Sequence, residues 1–188
     1  MISTALTHEG EKFFSVHAMT KMSICVAFCC VTAYLSFPLP FTPGMVTALT
    51  VALGVTAFVL TPLQTFLVLL VYVFLGCAGL PVFAGGTSGI SKIVGPVGGF
   101  IIAWVLVYPM VSALKGKSIS FRRYALVDIL LGMPVTYLGG MISLMFFMDL
   151  TLEEAFAIGV LVYIPADLMK CLLAAFLGVR INKALEQL

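Results

Sequence analysis

Residues 155–179 read AFAIGVLVYIPADLMKCLLAAFLGV, and this apolar stretch decides the fold class. At about 1.5 Å of rise per residue, a helix of this length crosses the hydrocarbon core of a bilayer. Asp167 and Lys170 lie near its middle, and their spacing places both side chains on one helical face. Pro165 precedes them and favours a kink. The stretch therefore predicts a membrane-spanning helix with an acid and a base at mid-depth.

This acid and base predict a binding site. A charged side chain at the bilayer centre costs about 2.5–3.5 kcal/mol even on insertion scales, so such residues usually face the interior of a bundle and serve a function. We expect Asp167 and Lys170 to hold a polar small molecule. The alternative is an ion pair that neutralises itself and only packs the bundle. The position at mid-span favours the functional interpretation.

The composition is that of an integral membrane protein. Of 188 residues, 62% are hydrophobic and 10% are charged, whereas soluble domains contain about 25% charged residues. The mean hydropathy is +1.18. The cysteines lie in apolar stretches without metal-binding spacing, and both histidines precede the first apolar run. The sequence therefore predicts no metal site, no cofactor and no catalytic residue.

Apolar runs predict an all-α bundle of six membrane-spanning helices. The predicted spans are residues 22–37, 46–60, 63–80, 97–114, 124–147 and 155–179. Residues 1–20 form a predicted cytoplasmic lead, residues 21–182 the membrane domain, and residues 183–188 a cytoplasmic tail. The segment KGKSISFRRY, residues 115–124, carries basic residues and no acid. The positive-inside rule places this segment and both termini in the cytoplasm.

The fifth predicted span contains two polar side chains. Asp128 stands near its cytoplasmic end, and we expect it to pair with Arg122 or Arg123 in a structural role. Tyr137 lies at mid-span, where its phenol needs a hydrogen-bond partner, and a ligand is one candidate.

Two of the loops predicted on the outer side are unusual. Residues 37–45, FPLPFTPGM, form a stiff proline-rich loop with Phe41 and Thr42 at its tip, either a connector or a lid. Residues 80–100, LPVFAGGTSGISKIVGPVGGF, contain six glycines but no nucleotide-binding motif. We expect this glycine loop to fold into the mouth of the bundle and to expose Phe83, Ser88 and backbone amides to a ligand. The alternative is a flexible outer loop.

A row of small residues follows one face of the first span. Ser23, Ala27 and Val31 recur at four-residue steps, which lets helix backbones approach closely. The row fits packing inside the bundle and docking of another membrane subunit equally well.

Four stretches together resemble the BioY family, the biotin-specific substrate-binding (S) components of energy-coupling-factor (ECF) transporters. They are LPFTPGMVT (39–47), GLPVFAGGTSG (79–89), GPVGGF (95–100) and PADLMK (165–170). The resemblance covers roughly residues 20–182. The chain departs from the family pattern at Leu49, where a glutamine is usual, and at Phe100, where a tyrosine is frequent.

The resemblance implies a six-helix S component in a prokaryotic cell membrane that binds biotin at its outer face and is not an enzyme. Uptake then requires a transmembrane coupling protein and two cytoplasmic ATPase subunits. Ser23 and Ala27 map onto the face that contacts the coupling protein. The alternatives are an S component for another vitamin, a stand-alone facilitator and a membrane enzyme.

The polar groups of biotin and the positions of the candidate residues suggest a role for each of them. Asp167 suits the ureido N–H groups of biotin, and Lys170 keeps Asp167 ionised while reaching the ureido oxygen or the carboxylate. We expect the aromatic candidates to cover the thioether ring and tail of biotin; they are Phe41, Phe83 and Tyr137. The carboxylate would be held by Gly85, Gly86 and Ser88. Thr42 and Thr47 would supply hydroxyl groups nearby.

Overall fold

The computed structural model describes residues 15–187, and helices dominate this range. Its α-helices are α1 (Val16–Thr32), α2 (Leu49–Val59), α3 (Pro62–Cys77), α4 (Gly98–Leu114), α5 (Phe121–Val127), α6 (Met133–Met148), α7 (Leu152–Phe156) and α8 (Ile164–Leu185). A π-helical segment, Asp128–Gly132, joins α5 to α6, and a second π-helical segment, Ala157–Leu161, extends α7. The six predicted spans correspond to α1, α2, α3, α4, α5–α6 and α7–α8, which confirms the all-α class.

The helix ends follow local sequence signals. The Ser15 hydroxyl caps α1 by accepting from the backbone N–H of Ala18 at 3.2 Å. Thr61 and Gln64 form a capping box at the start of α3. α1 begins at Val16, so part of the predicted lead is helical; residues 1–14 of that lead lie outside the described residues.

The proline-rich loop folds as a short hairpin. β1 (Ser36–Pro38) pairs antiparallel with β2 (Met45–Thr47), and Phe37 stands opposite Val46. The predicted first span therefore ends early, at Thr32, and the predicted second span begins late, at Leu49. The hairpin occupies the space between these two helix ends.

The helices differ in length. Among the described residues, Phe121–Met148 is long and apolar enough to cross a membrane by itself. The segments Leu152–Leu161 and Ile164–Leu185 pass the same test as a pair bent by 44°, and the four other apolar helices have 10–17 residues. The bend confirms the predicted kink, since Pro165 lies in the first turn of α8.

The bundle is organised around α2. Its residues from Val51 to Phe58 are all buried. Close approach to α8 depends on small residues, because a Cβ added at Gly54 would lie 2.8 Å from Cβ of Ala174. The outward surface is apolar, with Phe74, Phe146 and Met169 exposed by 71%, 75% and 73%. This distribution suits a bundle surrounded by lipid.

The predicted partner of Asp128 was wrong. Asp128 is 1% exposed and makes no ion pair within residues 15–187. Arg123 instead donates to the Leu114 carbonyl at 3.2 Å. Positions five and six residues apart lie on opposite faces of a helix, so Asp128 points inward where the arginines point outward.

Candidate functional site

The predicted ion pair exists and has a third member. Lys170 Nζ donates to Asp167 Oδ1 at 2.9 Å, and the Tyr137 hydroxyl donates to Asp167 Oδ2 at 2.8 Å. The side chains of Lys170 and Asp167 are 15% and 16% exposed. Because α8 begins at Ile164, Asp167 lies in its first turn, where the helix dipole favours a carboxylate.

These three residues line a cavity that we call the main cavity. Its space amounts to about 800 Å³ when the open mouth is included. Its walls come from the hairpin, the glycine loop and the helices α2, α3, α4, α6 and α8. The sequence elements that carry the binding-site predictions therefore converge on one space.

A smaller space, which we call the inner chamber, lies behind the ion pair. It amounts to about 290 Å³ and is lined by Tyr108, Cys171 and Gly132 among others. Asp167 and Lys170 line both spaces. They therefore mark the deep end of the main cavity.

Half of the predicted binding residues line the main cavity. They are Thr47, Phe83, Tyr137, Asp167 and Lys170. Phe83 is 2% exposed and packs edge-on against Tyr72 with ring centroids 5.9 Å apart, so it is a fixed part of the wall. The Thr47 hydroxyl, just before α2, accepts from the Leu49 N–H at 3.1 Å. The phenol that was expected to seek a ligand binds Asp167 instead.

The other predicted binding residues do not line the cavity. Phe41 is 56% exposed at the hairpin tip. Thr42 contributes indirectly, because its hydroxyl lies 3.2 Å from the hydroxyl of Tyr163, which is a wall residue. Ser88 is half-buried within the glycine loop.

Gly85 and Gly86 serve the packing of the glycine loop. Their φ values are 73° and 70°, which favour glycine. The Gly85 N–H donates to the Ala33 carbonyl at 3.0 Å, and Tyr34 fills the space beside Gly86. These glycines hold the loop against the end of α1, and neither of them lines the main cavity.

Sequence reasoning missed three notable wall residues: Lys92, Trp104 and Tyr163. Tyr163 lies four residues before Asp167, a helical spacing that places both on one face. Lys92 is the cation of the glycine loop and makes no ion pair within the described range. Trp104 is the single tryptophan of the chain. Each of these residues could have been noticed in the sequence: Tyr163 by its helical spacing from Asp167, Lys92 as an isolated charge, and Trp104 as an indole inside a predicted span.

The small-residue row of α1 faces outward. Ser23, Ala27 and Val31 are exposed, whereas Cys25 and Cys29 on the adjacent row are buried. Within residues 15–187 the row therefore does not face the interior of the bundle, and docking of another subunit at this row stays a prediction.

Comparison with known proteins gives one consistent result. The model of the BioY family matches residues 6–187. The biotin transporter BioY2 of Lactococcus lactis is 31% identical over 175 residues, 91% of this chain and 93% of the relative. The biotin transporter BioY of Thermotoga maritima is 32% identical over 165 residues, 88% of this chain and 95% of the relative.

A solved structure shares the fold. It is the S component for biotin from an ECF-type ABC transporter, with a TM-score of 0.84 and 25% sequence identity. The match covers 89% of this chain and 92% of the solved chain. The likeness therefore includes nearly the whole bundle.

Proposed function

The chain belongs to the BioY family, and from this premise we propose that it is the biotin-binding S component of an ECF-type transporter. The observation that carries the proposal is the Tyr137–Asp167–Lys170 cluster at the deep end of the main cavity. A half-buried acid with a fixed geometry in a mostly apolar cavity suits a neutral polar ring with N–H donors.

The hydrogen-bond inventory supports a ureido ring at Asp167. Each carboxylate oxygen accepts about two hydrogen bonds, and each already has one donor, Lys170 or Tyr137. One acceptor position therefore remains on each oxygen for ligand N–H groups. Lys170 has three N–H bonds and donates one to Asp167, so further donors remain for a ligand oxygen.

The distribution of charge supports one orientation of biotin. Asp167 and Lys170 lie at the deep end of the main cavity, and Lys92 belongs to the glycine loop beside the hairpin. A carboxylate keeps more hydration at the mouth than at the inner end, and Lys92 supplies a cation there. We therefore place the ureido ring inward and the carboxylate at Lys92, in place of the glycine amides expected from the sequence.

The remaining walls suit the apolar part of biotin. Phe83, Trp104 and Phe100 present aromatic surface to the main cavity. A thioether packs favourably against aromatic rings, and an aliphatic tail gains from leaving water.

Transport adds partners and a membrane orientation to the proposal. We propose that the exposed row at Ser23 and Ala27 docks a transmembrane coupling protein that works with two ATPase subunits. The main cavity lies at the Val97 end of α4, and the basic segment 115–124 follows its other end. Basic loops stay in the cytoplasm, which supports an outward-facing cavity, cytoplasmic termini and residence in a prokaryotic cell membrane.

The test is calorimetric titration of the purified protein with biotin and a panel of other vitamins. We expect saturable binding of biotin and none of the others at the same concentrations. Preference for a different vitamin would favour the alternative S-component assignment. Biotin uptake into liposomes without ATPase subunits would favour a stand-alone facilitator.

A further inference from the structure

Two buried polar atoms at the cavity walls have no hydrogen-bond partner. They are Nε1 of Trp104 and Oγ1 of Thr136. Trp104 is 8% exposed, Thr136 is 8% exposed, and both residues line the main cavity. A buried donor left unpaired costs about 1–3 kcal/mol, so native proteins seldom retain one without a reason.

The two atoms differ in what would satisfy them. Thr136 also lines the inner chamber, and its hydroxyl both donates and accepts, so a water molecule there meets its needs. The indole N–H of Trp104 only donates, and Trp104 does not line the inner chamber. Of the two spaces, the main cavity is therefore the one from which an acceptor can approach Trp104.

The position of Trp104 along α4 sets the depth of that acceptor. Phe100 and Ile101, one turn towards the mouth, line the main cavity alone. Tyr108, one turn deeper, lines the inner chamber together with Asp167 and Lys170. Trp104 therefore lies between the mouth-side residues of α4 and the inner chamber, which Asp167 and Lys170 also line.

We infer that Trp104 is a specificity-determining residue whose indole N–H donates to the ureido carbonyl oxygen of the ligand. The inference rests on the proposed function and on the ring-inward orientation. At this depth biotin offers the ureido oxygen and the thioether sulfur, and sulfur is only a weak acceptor. A vitamin without a carbonyl at this place leaves the N–H unpaired, which lowers its affinity.

The single tryptophan makes the contact directly observable. In a protein labelled with ¹⁵N at indole nitrogens, Trp104 is the source of the one indole N–H signal. We expect biotin and desthiobiotin, which lacks the sulfur, to shift this signal downfield. At neutral pH, 2-iminobiotin carries a guanidinium in place of the ureido carbonyl, and we expect it to cause no downfield shift of this signal. A downfield shift equal for all three ligands, or absent with biotin, would overturn the inference.

A substitution gives the matching energetic test. Trp104→Phe should weaken biotin and desthiobiotin about tenfold and 2-iminobiotin much less. Equal losses for all three ligands would mean that the indole only packs. Should Trp104→Phe fail to fold, the indole signal of the unsubstituted protein decides. Failure of the unsubstituted protein to bind biotin at all would contradict the proposed function itself, a result distinct from either of these.

Discussion

Tyr137 donates its phenolic hydrogen to Asp167 Oδ2 at 2.8 Å and thereby links α6 to α8 in the wall of the main cavity. The bond leaves Lys170 alone on the other carboxylate oxygen. The orientation of the Asp167 carboxylate is therefore fixed, because each of its two oxygens accepts a hydrogen bond from a different residue. A site held this way is organised before the ligand arrives, which reduces the ordering cost of binding.

Tyr137→Phe tests this positioning role. Without the hydroxyl, Asp167 Oδ2 loses one hydrogen bond while the ring still fills its place. We expect biotin to bind about 3–10-fold more weakly, corresponding to about one hydrogen bond, in calorimetric titration. Affinity equal to that of the unsubstituted protein would show that the phenol does not position the carboxylate.

Lys170→Ala separates binding from packing. Removing the ammonium leaves a half-buried carboxylate without its cation and removes donors for a ligand oxygen. We expect at least a tenfold loss of biotin affinity in a protein that still elutes as a monodisperse species in detergent. Loss of folding with no measurable effect on binding in the folded fraction would support the purely structural alternative.

Ala27→Trp tests the docking face on α1. The position is exposed and far in sequence from the cavity residues, so biotin binding by the isolated protein should be unchanged. Uptake by cells that also contain the coupling protein and the ATPase subunits should fall at least tenfold, because a large side chain prevents close helix approach. Ile142→Trp, at an exposed position on α6 instead of α1, is the control and should retain uptake. Normal uptake with both variants would exclude the row as a docking face.

Lys115 is expected to stabilise the end of the bundle where α2 and α4 terminate. Its ammonium donates to the Ala57 carbonyl at 2.9 Å, the Phe58 carbonyl at 2.8 Å and also to the Leu60 carbonyl, which closes the C-terminus of α2. Lys115→Met should lower the free energy of unfolding by about 2 kcal/mol, or about 4–8 °C in melting temperature.

The control for this prediction is Lys117→Met in the same basic segment. Lys117 is exposed, so its substitution should leave the melting temperature nearly unchanged. Equal melting temperatures for the two variants, measured in the same detergent, would contradict the role assigned to Lys115.

The sequence predicted best what a single helix determines. Asp167 and Lys170 share a face because of their spacing, and Pro165 marks a bend because of its backbone chemistry. These features need no knowledge of neighbouring segments. The helical class followed in the same way from long apolar runs.

Features that depend on distant segments were harder to predict. β1 and β2 exist because Ser36–Pro38 pairs with Met45–Thr47, and apolar runs do not show such pairing. Lys92 and Trp104 line one cavity with Asp167 only after three separate segments have packed. The inward direction of Asp128 was predictable, since the helical spacing from Arg123 excludes a shared face.

The most direct test of the central claim is calorimetric titration of biotin into the unsubstituted protein and Asp167→Asn, with Asp149→Asn as the control. Asp149 is an exposed acid at the end of α6, so the control makes the same chemical change outside the cavity. We predict saturable binding by the unsubstituted protein, the same affinity for Asp149→Asn and at least a tenfold loss for Asp167→Asn in a folded sample. Equal affinity of the two variants for biotin would contradict the account.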